Sequence, residues 1–298
     1  MLANTESITA KICAFVRAYH SNLSDNKIYD DYLAFDLLGR DEYEVIKSMV
    51  FRGFSSVGEK GQYDSEQIHK NIAKYMAPIP LSRINFAENK LNSFSQKHGE
   101  CQYVVCGAGL DTFAFRNTNP HIKIFEIDHP STQAYKKQRI EELGWNIPAN
   151  TNLVSVDFEK DSLESSLINR GFSKDKKTFF SVLGVSYYLT LSTFVDMIRN
   201  IAKLSSDESM LVLDFPDRST LKSKVERVRK MTQFTEEIGE NMQSGFSPID
   251  IIGILKDHDF IVETYMNPSK IQKIYFENCD DRYKAFENVH FISAVFKK

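Results

Sequence analysis

The chain contains 298 residues, and 37 lysines and arginines against 40 aspartates and glutamates give a formal net charge of −3. Hydrophobic residues make up 42 % and charged residues 26 %, as in soluble globular proteins, and a chain of this length can bury enough surface to fold without disulfides or a structural metal. The nearly balanced charge argues against nucleic acid as the main partner, and the lack of an apolar run of about 20 residues argues against a membrane span.

The amino-terminal stretch and the cysteines point to a cytoplasmic protein. Residues 1–20 lack the apolar core of a secretory signal, and the four cysteines do not show the spacing of a zinc site. Cys101 and Cys106 lie on one predicted strand at positions that point to opposite faces. We therefore expect reduced thiols, no metal site and no membrane partner.

The chain begins with predicted helices. Apolar residues recur with helical period over Ile8–Tyr19. The acidic pair Asp30 and Asp31 precedes residues 32–38, and acidic side chains favour the start of a helix. These patterns predict that residues 1–98 form a helical amino-terminal cap packed on the core.

Two prolines mark a boundary near the end of this cap. Pro78 and Pro80 are expected to break the preceding helix, and Ser82 could cap a helix that runs from Arg83 to about residue 97.

From Cys101 onward, short apolar runs alternate with helical stretches, which is typical of a parallel sheet with crossover helices. The predicted strands are Gln102–Cys106, Ile122–Ile127, Leu153–Val156, Thr178–Leu183, Met210–Asp214, Ile261–Tyr265 and His290–Phe296. A further strand could lie at Lys273–Phe276. The order predicts an α/β fold over residues 99–298, with a doubly wound, mostly parallel sheet and an antiparallel edge.

A helical insertion is expected at residues 216–247. It carries a basic run, Lys222–Lys230, followed by Glu236, Glu237 and Glu240. Such a run is usually a solvated helix face. Because the insertion directly follows the carboxyl end of a strand, it is also a candidate lid over a site.

The most informative segment is a strand that runs into a glycine turn. Gly107 and Gly109 permit positive φ and a close approach of a ligand to the backbone. The next strand ends in Asp128, whose carboxylate could accept both hydroxyls of a ribose. The third strand leads into Asp157 and Phe158, which could flank an adenine ring, although either acid could instead cap the following helix.

Two cofactor classes use this arrangement. A dinucleotide requires a third glycine where this chain has Thr112, and Asp111 would repel a pyrophosphate. S-adenosylmethionine contains no phosphate and tolerates an acid near the turn. The sequence therefore favours S-adenosylmethionine over NAD, and a glycine turn without a ligand remains an alternative.

Several segments resemble, in order, the motifs of the leucine carboxyl methyltransferase family. They are Ile28–Ala34, Pro80–Arg83, Cys106–Arg116, Phe125–Pro130 and Val156–Phe158. This family contains protein phosphatase carboxyl methyltransferases and bacterial O-methyltransferases linked to polyketide biosynthesis. The resemblance implies a class I methyltransferase (Rossmann-like) fold with a seven-stranded sheet, and S-adenosylmethionine as the cofactor.

The resemblance also implies roles for single residues. Arg83 would pair with the carboxylate of the cofactor's methionine portion, a task suited to a guanidinium, although it could also be a surface or helix-pairing arginine. Residues 107–109 would line that portion, Asp128 would hold the ribose, and Asp157 with Phe158 would meet the adenine. The complete predicted cofactor-binding set is Arg83, Gly107, Ala108, Gly109, Asp111, Asp128, His129, Asp157, Phe158 and Leu183.

One position departs from the family. Residues 181–190 resemble the fourth-strand motif, but many members have glutamate where this chain has Leu183. That glutamate would lie near the cofactor's ammonium group, and Glu126 or Asp111 could compensate for its loss. A protein that binds the cofactor without catalysis is therefore an alternative.

The predicted reaction is methyl transfer by in-line displacement, for which the enzyme holds nucleophile and methyl group in line. A carboxylate acceptor needs no base at neutral pH, whereas a hydroxyl does. Tyr187 and Tyr188 are the candidates for contacts to the substrate. We predict an O-methyltransferase that acts on a carboxylate, or a hydroxyl, of a small-molecule acceptor. A protein carboxyl terminus as acceptor, and an NAD-dependent oxidoreductase, are less favoured.

Overall fold

The computed structural model describes residues 7–23, 26–54, 65–157, 161–243 and 245–298. Its centre is one seven-stranded sheet in the order β3-β2-β1-β4-β5-β7-β6. The strands are β1 (Cys101–Cys106), β2 (Ile122–Asp128), β3 (Thr151–Ser155), β4 (Thr178–Val182), β5 (Met210–Pro216), β6 (Phe260–Met266) and β7 (Val289–Phe296). The predicted α/β class and all seven main strands are confirmed.

The first five strands are parallel to one another, and β7 runs antiparallel between β5 and the edge strand β6. The strand order reverses direction between β1 and β4, so the carboxyl ends of these two strands meet at the switch point, where open α/β sheets bind ligands.

Helices cover both faces of the sheet. They are α1 (Ile8–Leu23), α2 (Ala34–Leu38), α3 (Arg40–Phe54), α4 (Ser65–Asn71), α5 (Pro78–His98), α6 (Phe113–Arg116), α7 (Pro130–Glu142), α8 (Leu163–Ile168), α9 (Leu191–Leu204), α10 (Glu226–Glu237), α11 (Pro248–Lys256) and α12 (Pro268–Ile271). Within the described ranges, no helix is long and apolar enough to cross a membrane. In the described residues before β1 the chain is largely helical, as expected, and the division into a cap and a core domain stays a prediction.

Two local predictions are wrong. Ser82 lies inside α5 rather than at its start, because Pro78 occupies the first turn, where a missing N–H costs nothing, and the Ser82 hydroxyl donates to the Pro78 carbonyl. Residues 272–276 form a π-helical turn rather than a strand. It continues α12, which starts at the capping residue Asn267, and this start signal prevails over the β propensity of the segment.

The hydrophobic core consists of two clusters, one on each face of the sheet. Cys101 belongs to the cluster that includes the amino-terminal helices, whereas Cys106 belongs to the cluster beneath α8, α9 and α11. Their opposite orientation is thus confirmed, and all four cysteines are free thiols.

The 216–247 insertion is closed at its base. Asp217 and Phe246 form an isolated parallel bridge, and the Phe246 amide donates to the Pro216 carbonyl at 2.9 Å. A Cβ atom at Gly245 would overlap the Asp217 carbonyl oxygen, so only glycine allows the two ends to approach so closely.

The insertion packs against the amino-terminal helices. In α10, the ring of Phe234 lies 4.9 Å from that of Phe54 in α3, which in turn stacks on Tyr75. The insertion and these helices therefore form one continuous layer beside the carboxyl ends of the strands.

Candidate active site

The glycine turn follows β1 and has the predicted backbone. Gly107 and Gly109 have φ values of 76° and 52°, in the left-handed region. A Cβ atom at Gly107 would lie 2.7 Å from a methyl carbon of Val185, and one at Gly109 would lie 2.9 Å from the Cβ of Ala10 in α1. The groups that lie close to these two glycines are therefore the side chains of Val185 and Ala10. Ala108, between the two glycines, is buried.

Asp128, at the end of β2, holds this turn. Its carboxylate accepts the Gly109 amide at 2.6 Å and the His129 amide at 2.7 Å, one on each oxygen. Burial raises the pKa of Asp128, and the two amides oppose that rise. Because a carboxylate oxygen has two acceptor sites, each oxygen can still accept a hydroxyl. The donor set therefore fits a ribose at this position.

The adjacent helix α7 is capped by His129 and not by Asp128. The His129 ring accepts the Ser131 amide at 3.4 Å, and its Nδ1 lies 2.8 Å from the Ser131 hydroxyl oxygen. The capping alternative for Asp128 therefore does not hold.

Asp157 lies just beyond β3. The residue that caps the following helix α8 is Ser162, so Asp157 is not that cap. Its backbone amide donates to the Asp161 carboxylate at 2.9 Å. Phe158, the other residue predicted to meet the adenine, lies outside the described residues.

Glu126 and Asp111 could compensate for the glutamate that is missing at position 183, but both form hydrogen bonds or ion pairs within the protein. Glu126 forms a fully buried ion pair with Lys136. The Asp111 carboxylate accepts the Phe113 amide at 2.6 Å, and its carbonyl accepts the Lys136 ammonium at 2.6 Å. Leu183 itself is half-buried at the end of β4.

A second group of polar side chains lies at the carboxyl ends of β4 and β5. Arg83, in α5, reaches Asp214 at the end of β5 with an Nη1–Oδ2 distance of 3.2 Å. Its Nη2 lies 3.5 Å from the Cys13 sulfur. Burial lowers the pKa of Arg83, but the Asp214 carboxylate outweighs burial and raises it above its usual value.

Asp214 is the centre of this group, which sequence reasoning missed. Its side chain is fully buried and also accepts the Gly184 amide at 2.7 Å and the Tyr187 hydroxyl at 2.8 Å. An aspartate at the end of the apolar strand Met210–Pro216 is the signal that could have identified it, because a buried acid needs partners.

The two tyrosines predicted at the substrate side differ. Tyr187 is buried and donates to Asp214, so its hydroxyl is used inside the protein. Tyr188 is half-buried, and its hydroxyl oxygen lies 3.4 Å from the Thr9 hydroxyl oxygen. Burial raises the pKa of Tyr188 to about 12.

A buried ion pair links the amino-terminal helices to the glycine turn. Arg17 donates to Asp31 at 2.7 Å and to the carbonyl of Leu110 at 2.7 Å. The Thr112 hydroxyl donates to the other oxygen of Asp31 at 2.6 Å. Burial raises the pKa of Asp31, but Arg17 and Arg116 outweigh it and hold the pKa below its usual value. The segment around Asp31 therefore positions the turn.

Comparison with known proteins agrees with this geometry. The sequence model of the leucine carboxyl methyltransferase family matches residues 10–202. The chain is 36 % identical over 306 residues to YktD of Bacillus subtilis (strain 168), by its name a candidate S-adenosyl-L-methionine-dependent methyltransferase, with 100 % of both chains covered. A relative of the same description from Mycolicibacterium paratuberculosis is 27 % identical, with 82 % of this chain and 77 % of the relative covered.

Solved structures share the fold. A candidate methyltransferase from Thermobifida fusca has a TM-score of 0.58 at 11 % identity, with 100 % of this chain and 97 % of that chain covered. A DUF574 family protein from Streptomyces avermitilis has a TM-score of 0.56 at 10 % identity, with 95 % and 96 % covered. At such low identity these neighbours show the fold alone.

Proposed function

The chain belongs to the leucine carboxyl methyltransferase family and is an S-adenosylmethionine-dependent methyltransferase, and from this premise we propose that it methylates a carboxylate oxygen of a small-molecule acceptor. The observation that carries the choice of acceptor is the environment of Tyr188. Its hydroxyl lies beside Thr9 near the end of β4, with a pKa raised to about 12 by burial.

A tyrosine with this pKa stays protonated at neutral pH. It can donate a hydrogen bond, but it cannot accept the proton of an alcohol or phenol. A carboxylic acid has a pKa of about 4, so it arrives ionised and needs no base. A hydroxyl donor therefore suits an acceptor that already carries a negative charge.

The cofactor would be held from both sides of the switch point. Asp128 would accept the two ribose hydroxyls, and the glycine turn would line the methionine portion. Arg83 has five N–H donors, of which one contacts Asp214 and another Cys13, so it can still donate to the methionine carboxylate. When bound, the cofactor supplies a methyl group on a sulfonium, which is already a strong electrophile.

The remaining task of the chain is to orient the acceptor and exclude water. The layer formed by the amino-terminal helices and the insertion would supply the cover that this task needs. We propose that acceptor specificity resides in this layer.

Radiolabelled cofactor distinguishes the possible acceptors. The protein is incubated with S-adenosylmethionine that carries a labelled methyl group and with pairs of carboxylic acids and their corresponding alcohols or phenols. We expect the label to be transferred to the acids and to be released by alkali as volatile methanol. Alkali hydrolyses methyl esters in this way and leaves methyl ethers intact. Alkali-stable label would overturn the carboxylate proposal in favour of a hydroxyl acceptor. If a protein mixture is added as a further acceptor, label that precipitates with it would favour a protein acceptor.

The variant Tyr188→Phe tests the hydroxyl itself. We expect about a tenfold loss of kcat/KM for the carboxylate, in line with the loss of one hydrogen bond to a charged group, and unchanged affinity for S-adenosylhomocysteine. Unchanged kcat/KM would contradict the role assigned to this hydroxyl.

A further inference from the structure

One acid in the insertion is buried without a cation beside it. Glu240 is 8 % exposed, and its carboxylate accepts the Ser7 hydroxyl at 3.4 Å. Among the described residues, it forms no ion pair with a lysine, arginine or histidine. A buried carboxylate is costly unless it is paired, so this one is suited to a cation that arrives with a ligand.

Glu240 lies close to the glycine turn. Its partner Ser7 precedes α1 and also accepts the Ala10 amide at 3.2 Å, one helical turn further along. Ala10 in turn packs on Gly109. The carboxylate is therefore linked, through Ser7 and Ala10, to the backbone that would line the cofactor's methionine portion.

The segment that carries Glu240 is also fixed to the end of β4. The Gln243 amide donates to the Tyr187 carbonyl at 2.9 Å. The Tyr187 turn begins three residues after Leu183, so the segment that carries Glu240 contacts the same strand end at which Leu183 offers only hydrocarbon.

The other acids at these strand ends already have partners. Asp128 binds two amides, and Asp214 binds Arg83, an amide and a phenol. Glu126 is paired with Lys136, and Asp111 accepts an amide. Compared with these four acids, and within the part of the chain that the structure describes, Glu240 is a buried carboxylate whose charge is left for a ligand.

We propose that Glu240 binds the ammonium group of the cofactor's methionine portion and so supplies the charge that Leu183 does not. The proposal rests on S-adenosylmethionine as the cofactor and is independent of the acceptor. It makes the insertion part of the cofactor site as well as of the cover.

Two ligands that differ in the methionine portion test this. S-adenosylhomocysteine carries the ammonium group, whereas 5′-methylthioadenosine lacks the whole amino-acid portion. For the variant Glu240→Gln, we expect calorimetric titration to show at least about tenfold weaker binding of S-adenosylhomocysteine and unchanged binding of 5′-methylthioadenosine. The matched control Glu236→Gln makes the same chemical change at an exposed site of the insertion and should bind both ligands as the wild type does.

Other outcomes separate the possible failures. Equal affinity of wild type and Glu240→Gln for S-adenosylhomocysteine would overturn this proposal alone, and an equal loss for both ligands would show a structural role instead. If Glu240→Gln does not fold, Glu240→Asp, which shortens the carboxylate by one methylene group, must show the same selective loss. Failure of the wild type to bind either ligand would overturn the cofactor assignment and this proposal together.

Discussion

On the β1–β2 side of the site, Asp128 is held by two backbone amides, one of them from the next residue in the chain. On the β4–β5 side, Asp214 is held by the side chains of Arg83 and Tyr187, which lie on other elements. Backbone amides stay in place when a side chain is removed. A charged side chain such as Arg83, in contrast, remains inside the protein without a counter-charge when its partner is removed, and this is costly. The first side should therefore tolerate substitution without loss of the fold, whereas the second should not.

The largest expected effect is that of Asp214→Ala. This change leaves the Arg83 guanidinium, whose side chain is 13 % exposed, without the fully buried carboxylate, and breaking such a pair costs about 3–5 kcal/mol. In urea denaturation, Asp128→Ala should lower the free energy of unfolding by only about 2 kcal/mol, because the two amides that lose their acceptor are uncharged and Asp128 is half-buried, so water can replace the carboxylate. Equal losses for the two variants would remove the distinction between the two sides.

Acid should lower the stability of the whole fold, because His20 in α1 is buried in its neutral form. His20 is buried, its Nε2 accepts the Ile28 amide at 2.9 Å, and its Nδ1 lies 3.3 Å from the Tyr283 hydroxyl oxygen. Burial, with a smaller contribution from Lys27, lowers the pKa of His20 to about 4. In the unfolded chain the pKa is about 6.5, so between these values the unfolded state binds the extra proton.

His20 therefore contributes stability that is complete above about pH 6.5 and is lost as the pH falls towards 4, in total about 3 kcal/mol. Unfolding free energies measured across this range should fall less steeply for His20→Gln than for the wild type. Parallel pH profiles for the two proteins would show that His20 is not the responsible group.

A smaller effect is expected when Asp128→Ala is tested for ligand binding. Loss of the proposed bonds to the ribose should weaken the binding of S-adenosylhomocysteine by about 2 kcal/mol, which is roughly thirtyfold. Calorimetric titration measures this directly, with the exposed Asp175→Ala as a control. Unchanged affinity would remove the ribose role from Asp128 and leave it only its contacts to the turn.

The smallest effect separates the two tyrosines. Tyr187→Phe removes one of three donors to Asp214 and should cost about 1 kcal/mol of unfolding free energy. Tyr188→Phe should change that free energy by less than about 0.5 kcal/mol, because the hydroxyl makes only one long contact, 3.4 Å to the Thr9 hydroxyl oxygen. A larger loss of unfolding free energy for Tyr188→Phe than for Tyr187→Phe would show that the hydroxyl of Tyr188 is the one that stabilises the fold.

The same contrast explains what could be predicted from the sequence. The strands, the glycine turn and Asp128 belong to short segments whose apolar runs and spacing indicate their structure directly. Arg83 and Asp214 are 131 residues apart, and no local pattern indicates that they meet. The pairing of Asp31 with Arg17 and Thr112 depends in the same way on how α1 packs over the turn.

The wrong predictions have local causes of a different kind. Near Ser82, the two prolines favour the end of a helix when they are considered alone, although proline is equally suited to a first turn. At residues 272–276, Ile274, Tyr275 and Phe276 favour a strand, but Asn267 and Pro268 start a helix that continues through them. In both cases the start signal of a helix prevails over the local preference of the residues after it.

The bridge between Asp217 and Phe246 bears on how such proteins diversify. Because it closes the insertion at its base, the chain between these residues is a loop with fixed ends, and doubling its length costs only about 0.6 kcal/mol of closure entropy. Segments of this loop can therefore be lengthened, shortened or exchanged while β5 keeps its place in the sheet. Under the proposal that acceptor specificity resides in this layer, new acceptors can be accommodated by changing this segment, provided that Glu240 is kept, and the strand ends that would hold the cofactor remain as they are.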